Sequence, residues 1–308
     1  MLVVGGLNMD IHLFGVRQAS PQATLVAESH LAQPGGKAGN VSRAAARMGV
    51  AATLVARVGS DDFGEHCIQA AAEDGVDVAG VIRTPDHHTG FVAIDLKHGK
   101  HRSLVFSPGA NELLTWEDVA PHVAELTADD IVVAQAELPP TTLSELASAT
   151  TTRGIPLFLD PAPPDRVRRD HVLASTVITP DLEEAARLTG RRDSSLLWTE
   201  AAARELRAVG ARRVVLKTSE SGALLLDDDG LLEIPTARVD VIDETGAGDV
   251  FLAALAVSRL DGRDWVDSVR FANAAAALSV SRIGLGLPGR DEADAVLRDL
   301  PEPTIRSA

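Results

Sequence analysis

The residues with most chemical promise in this 308-residue chain are Asp243-Glu244-Thr245-Gly246-Ala247-Gly248-Asp249. Two glycines in a short turn lead directly into Val250-Phe251-Leu252-Ala253-Ala254-Leu255, an apolar, helix-like run. The first turn of such a helix leaves backbone N–H groups unpaired where the helix dipole is also positive. That end can cradle an anion, whether a bound phosphate or a phosphoryl group in flight. Asp249 sits in or beside the same turn, where its carboxylate can orient an alcohol and accept its proton. Anion cradle and base together suggest phosphoryl transfer to a hydroxyl. The competing reading, a glycine-rich turn capped by an aspartate, is weighed against the rest of the chain.

Two more stretches hold polar groups in ligand-like settings. Met1-Leu2-Val3-Val4-Gly5-Gly6 reads as a short buried strand ending in glycines, and Asn8 and Asp10 follow at alternate positions. Just past a strand of an open α/β sheet, they either face the ligand crevice or form Asx turns. Pro34-Gly35-Gly36-Lys37-Ala38-Gly39-Asn40 opens a helix with Val41, Ala44, Ala45 and Met48 on one face and a stop at Gly49. Paired glycines let a ligand approach the backbone, and Lys37 and Asn40 supply donors. No Ser or Thr follows the lysine, so this is not a nucleotide P-loop.

Other patterns are set aside. Gly284-Leu285-Gly286-Leu287-Pro288-Gly289 fits a dinucleotide fingerprint by letter, but no βαβ unit surrounds it. His87, His88, His98 and His101 lack a carboxylate or cysteine at ligand spacing and read as solvated hairpin residues. Arg166, Arg168 and Arg169 read as a solvated helix face; Trp116, Trp198 and Trp265 read as packing residues.

The elements that must position these groups alternate. Strands are expected at 53–58, 78–82, 131–136, 155–159, 177–179 and 214–217. Helices are expected at 63–73, 141–151, 183–188, 201–209, 248–259, 266–282 and 292–300, and a hairpin joins 223–226 to 231–234. Such a pattern reads as α/β, with a mostly parallel central sheet wrapped by helices. Alternating segments near Ile11, Leu13, Leu25 and Ala27, and again over 89–106, read as two antiparallel hairpins with turns at 19–22 and 97–100. The expectation is one domain over 1–308, with a small β lid from about 11–33 and 88–107.

Composition bounds the function. A formal charge of −15, with no basic run to offset it, argues against a nucleic-acid or acidic-membrane partner. It leaves room for a nucleotide, whose charge a metal ion and helix ends can meet. Hydrophobic content of 45% with 24% charged residues fits a soluble globular protein. The single Cys67 cannot form an intramolecular disulfide, fits a reducing compartment, and reads as a small buried hydrophobe. No charged leader and no membrane-length apolar run is present, so a cytoplasmic location is expected.

Four stretches, in order, resemble the ribokinase-like, or PfkB-type, carbohydrate kinases: Gly6-Leu7-Asn8-Met9-Asp10, Pro34 to Asn40, Thr179-Pro180-Asp181-Leu182-Glu183-Glu184, and Asp243 to Asp249. Pro108-Gly109-Ala110-Asn111, Gln135-Ala136-Glu137 and residues 271–277 extend the resemblance over nearly the whole chain. It implies a ribokinase-like fold and ATP-dependent phosphorylation of a sugar hydroxyl, with ribose first among the acceptors. Asp249 would be the base, and Gly246, Ala247 and Gly248 the anion hole. Asn8, Asp10, Gly36, Lys37, Asn40 and Glu137 would bind the sugar. Asp181 and Glu184 would help to place the phosphates and Mg2+, largely through water. Lys217, Ser219, Gly222 and Asn273 would lie on the ATP side, the last beside the adenine. Asp243 and the Thr245 carbonyl match the place where many relatives hold K+. The implied partners are a small sugar and a nucleotide, and a homodimer through the lid is expected.

Three departures stand out: Asp181 replaces the usual Asn, Ala38-Gly39 reverses the usual order, and Ser219 stands where a glycine is usual. Fructose, a keto-deoxy sugar acid or a nucleoside are the alternative substrates. A non-catalytic sugar sensor is the alternative of another class.

Overall fold

Short runs of small aliphatic residues make strands that bury both faces, and the segments between them make the covering helices. The computed structural model describes residues 1–17, 24–97, 100–190 and 196–305. The first half comprises β1 (Leu2–Val4), β2 (Asn8–Phe14), β3 (Ser29–Gly35), α1 (Lys37–Arg47), β4 (Thr53–Gly59), α2 (Asp62–Glu73), β5 (Asp77–Thr84), β6 (Gly90–Lys97), β7 (Lys100–Ser107) and α3 (Trp116–Ala124). Next come β8 (Val132–Gln135), α4 (Pro140–Arg153), β9 (Leu157–Asp160), α5 (Arg169–Ala174), β10 (Val177–Ile178), α6 (Leu182–Thr189), α7 (Leu196–Val209) and β11 (Val214–Lys217). The chain closes with β12 (Ala223–Asp227), β13 (Gly230–Ile234), α8 (Ala247–Leu260), α9 (Trp265–Val280), α10 (Arg290–Arg298) and β14 (Thr304–Ile305).

The main sheet runs β14-β13-β12-β11-β10-β9-β8-β1-β4-β5, parallel from β11 to β5. This is the expected α/β class, a mostly parallel central sheet wrapped by helices. Side chains of β1 alternate between two cores. Val3 packs with Ala44, Leu252 and Phe271 on one face; Leu2 and Val4 pack with Leu143 and Leu206 on the other. Helix α8 is buried from Asp249 to Ser258, which explains why it is apolar all round rather than striped. Strand β1 lies between β4, from the first half, and β8, from the second, so strand order reverses there. Ligand crevices open at the carboxyl ends of strands at such a switch point.

The two hairpins assemble into a second sheet, β3-β2-β6-β7, with β2 and β6 parallel. The returning strand of the first hairpin is shifted from the expected segment around 25–27 to Ser29–Gly35; near 26 only a single bridge, Arg17 to Val26, forms. Pro34 is tolerated in β3 because this is an edge strand. The expected turn at 19–22 and His98 lie outside the described residues. Helix α3 was not expected, although Thr115 and Asp118 form a capping box at its start. The basic run at 166–169 is not one helix face: Arg166 sits in a 3₁₀ turn, bonded to Glu112, and Arg169 begins α5. Among the described residues no helix is long and apolar enough to cross a membrane.

Candidate active site

Glycines after β1 let side chains at and just beyond the end of β8 crowd against the backbone. A Cβ on Gly5 would strike the Gln135 amide, and one on Gly6 the Glu137 carboxylate. Asn8 and Asp10 lie in β2 rather than in a turn, on one face and buried, so neither forms an Asx turn. Asn8 Oδ1 accepts from Asn111 Nδ2 at 2.7 Å, and Asn111 Oδ1 accepts from the Leu7 amide at 3.1 Å. Gly36, at φ 82°, caps α1 in the left-handed region, and a Cβ there would come within 2.6 Å of the Asn8 nitrogen. Cys67 is buried beneath this strand, its Sγ donating to the Asn8 carbonyl at 3.1 Å. Burial pushes its thiol up to about 12.

Buried polar atoms that lack a partner concentrate here. Asn8 Nδ2, Asp10 Oδ1, Asn40 Oδ1, Glu137 Oε2 and both amide atoms of Gln135 make six of the ten such side-chain atoms among the described residues. Each orphan costs about 1–3 kcal/mol, so a cluster of them argues for a ligand rich in hydroxyls that completes their bonds. Burial, then the Glu137 and Asp249 charges, raise the Asp10 carboxyl to about 8. Burial also raises Glu137 to about 7, opposed mainly by Lys37.

At the start of α8, Gly246 is the cap at φ 72°, and a Cβ there would strike Leu285. One element of the expected anion hole is corrected: the Ala247 N–H donates to the Glu244 carbonyl at 3.3 Å. The amides of Gly246, Gly248 and Asp249 have no hydrogen-bond partner among the described residues. Asp249 is buried; its Oδ2 accepts from Asn40 Nδ2 at 2.8 Å, and its Oδ1 faces Lys37 Nζ at 3.8 Å. Burial raises its pKa, with Lys37 and Asn40 pulling the other way. The structure thus brings Asp10, Gly36, Lys37, Asn40, Glu137 and Asp249 into one cluster, with Asn8 beside Gly36.

Sequence reasoning missed Asp160. It ends β9, buried, and takes Lys217 Nζ at 2.8 Å and Lys37 Nζ at 3.9 Å. Burial acts against its charge, but the two ammonium groups outweigh this and hold the carboxyl below its ordinary range. The available signal was a charged residue closing an apolar strand at the crevice end of a parallel sheet.

Asp181 caps α6: its Oδ1 accepts from the Glu184 amide, and Glu184 Oε2 accepts from the Asp181 amide, each at 2.8 Å. Asp and Asn serve equally well in that role. Burial, with Asp160 nearby, raises Glu184 to about 7. Ser219 stands at φ 54° in the 3₁₀ turn before Gly222. Left-handed backbone disfavours a side chain, so Ser219→Gly is expected to stabilise the protein by up to about 1 kcal/mol. A melting curve reads this as a rise of up to about 1–2 °C.

Asn273 Nδ2 is spent on the carbonyls of Ile234 and Pro235, at 2.9 and 3.1 Å, so it ties α9 to the segment after β13. Asp243 takes the Thr245 and Gly284 amides, at 2.9 and 3.0 Å, one on each oxygen. The Gly284–Gly289 segment follows a helix, not a strand, as its rejection as a dinucleotide site requires. Among the described residues no three His, Cys, Asp or Glu side chains form a metal-binding group.

Known proteins resemble this chain in sequence and in fold. Residues 1–292 match the sequence profile of the pfkB family carbohydrate kinases. The chain is 30% identical over 297 residues to the ribokinase of Bacillus subtilis, covering 96% of this chain and 98% of that protein. The crystal structure of ribokinase from Thermotoga maritima superposes with a TM-score of 0.83 at 30% identity, over 96% of this chain and 98% of that one. Arabidopsis thaliana ribokinase, solved in complex with ribose and ATP, gives 0.83 at 25% identity over the same shares.

Proposed function

The chain belongs to the pfkB family of carbohydrate kinases, ATP-dependent sugar kinases, and on that premise we propose that it phosphorylates ribose at its terminal hydroxyl. The observation that carries this reading is the cluster of unpaired buried polar atoms on Asn8, Asp10, Asn40, Gln135 and Glu137, next to Asp249. A polyol supplies the missing donors and acceptors. Two adjacent carboxylates, Asp10 and Glu137, disfavour a carboxylated sugar.

Asp249 Oδ2 is held by Asn40, which leaves Oδ1 to accept the substrate hydroxyl. That oxygen orients the alcohol and takes its proton late, as suits a loose transition state. The Gly246, Gly248 and Asp249 amides meet the charge on the transferring group. The segments 11–33 and 88–107 act as a lid of the single domain, excluding water that would otherwise hydrolyse ATP.

Mg2+ fits the hard oxygens of Glu184 and Asp181, and would supply charge neutralisation at the phosphates. The absence of a three-residue metal group among the described residues suits an ion held chiefly by phosphates and water. Asp243 retains lone pairs beyond its two amide bonds, so it and the Thr245 carbonyl suit K+. Buried Cys67 accords with a reducing, cytoplasmic setting.

A panel of sugars, ribose first, assayed for ADP release with and without K+, tests the reading. Ribose-stimulated ADP is expected; sugar binding without ADP would mean a sensor. The outer sheet exposes Leu31, Leu104, Val105 and Phe106, which suits a homodimer through the lid. Sedimentation at micromolar concentration is expected to give a dimer, and Val105→Lys a monomer; a wild-type monomer would end this assembly.

A further inference from the structure

Lys217 is poorly explained as a structural residue. It ends β11 with its side chain 15% exposed, its ammonium donating to Asp160 Oδ2 at 2.8 Å. Its other two N–H bonds find no acceptor among the described residues. The ammonium also overhangs the first turn of α8, since a Cβ on Gly248 would lie 3.2 Å from Nζ. A cation beside unpaired helix-start amides faces the positive end of the dipole, an arrangement that is favourable only with an anion between them. Lys37 adds a second cation, shared between Asp160 at 3.9 Å and Asp249 at 3.8 Å. Asp160 therefore holds both lysines at the mouth of the amide cradle.

We propose that Lys217 binds the terminal phosphoryl group of ATP as it is transferred, and that Asp160 is the positioning residue that aims it. This rests on the phosphoryl-transfer reading above and assigns the donor's charge to a side chain as well as to the helix start. Burial alone would strip the lysine of its proton, but Asp160 and Glu184 outweigh that and keep it charged. Asp160, ending a strand two places along the sheet, is rigidly carried and buried. A lysine aimed in this way loses little entropy when the phosphate arrives.

The test separates the terminal phosphate from the others. Calorimetry would compare ADP with a non-hydrolysable ATP analogue on wild type, Lys217→Met, Asp160→Asn and the double variant. Lys217→Met is expected to weaken the analogue about 10-fold or more while ADP changes by less than about threefold; its turnover should fall about 100-fold. Sugar KM should stay within about threefold. With Lys217 already replaced, Asp160→Asn should lose most of its effect on turnover, keeping only the part that acts through Lys37. The double variant removes both charges, so it guards against a single variant that leaves one buried charge unpaired and fails to fold. Equal weakening of ADP and analogue, or none, would overturn the assignment to the terminal phosphate. An Asp160→Asn effect of the same size with and without Lys217 would remove the positioning role. A wild type that binds both nucleotides but phosphorylates no sugar would instead sink the kinase reading.

Discussion

Asp249→Asn is expected to lower turnover by about 10²–10⁴-fold, the usual worth of a positioned general base, while sugar KM stays within a few-fold. The reason lies in the division of labour between the two carboxylate oxygens. Oδ2 is committed to Asn40, so an amide oxygen there can keep the pocket's shape. Oδ1, near Lys37, is the oxygen proposed to meet the substrate, and only there does the exchange remove proton affinity. Interactions made only as the proton moves affect turnover rather than ground-state binding. The pH profile supplies a second readout. Burial raises the Asp249 pKa, so the acid limb of the wild-type rate should lie above the ordinary aspartate range. That limb should vanish from the residual rate of the variant. Turnover within threefold of wild type would remove Asp249 from the chemistry.

What the residue order revealed, and what it hid, follows from how local each signal is. The Gly246–Asp249 turn and the α8 run could be read because cap, glycine and apolar stretch are adjacent in the chain. The parallel strands were equally plain, since burial on both faces demands unbroken apolar runs such as Leu157-Phe158-Leu159. The pairing of Asp160 with Lys217 was hidden, because 57 residues separate them and only the sheet order brings the two strand ends together. The same holds for Asn40 and Asp249, 209 residues apart, whose bond ties the two ends of the site. The start of β3 was misjudged because the alternation at Leu25 and Ala27 is local, whereas register is set by Gly35 opposite Asn8. A Cβ on Gly35 would strike the Asp10 carboxylate, so the strand that flanks Asp10 must carry glycine at that point. The Ala247 amide illustrates a finer limit. Which N–H of a helix start remains free depends on the turn before it, here the Glu244 carbonyl.

Asp10→Asn is expected to move affinity and stability in opposite directions. Replacing the buried carboxyl proposed to meet a sugar hydroxyl by an amide should raise sugar KM by about 10- to 100-fold. Yet the ligand-free variant should melt higher than wild type, and the gap should widen with pH. Burial, with the Glu137 and Asp249 charges, raises the Asp10 carboxyl to about 8 in the fold, against about 3.9 for a free aspartate. Between those values the folded state binds more protons than the unfolded one, so wild-type stability falls as pH rises. An amide does not titrate in this range. The variant's advantage should therefore be small near pH 4–5, grow through neutrality to several degrees in Tm, and level off above about pH 8. Glu137 contributes in the same direction up to about pH 7, which is why Asp10→Asn removes part of the wild-type slope and not all of it. Saturating ribose should close or reverse the gap, because mass action stabilises only the protein that binds it well. A site that stores unfavourable charge until its substrate arrives predicts that reversal, and a Tm gap that is flat from pH 5 to 8 would rule it out.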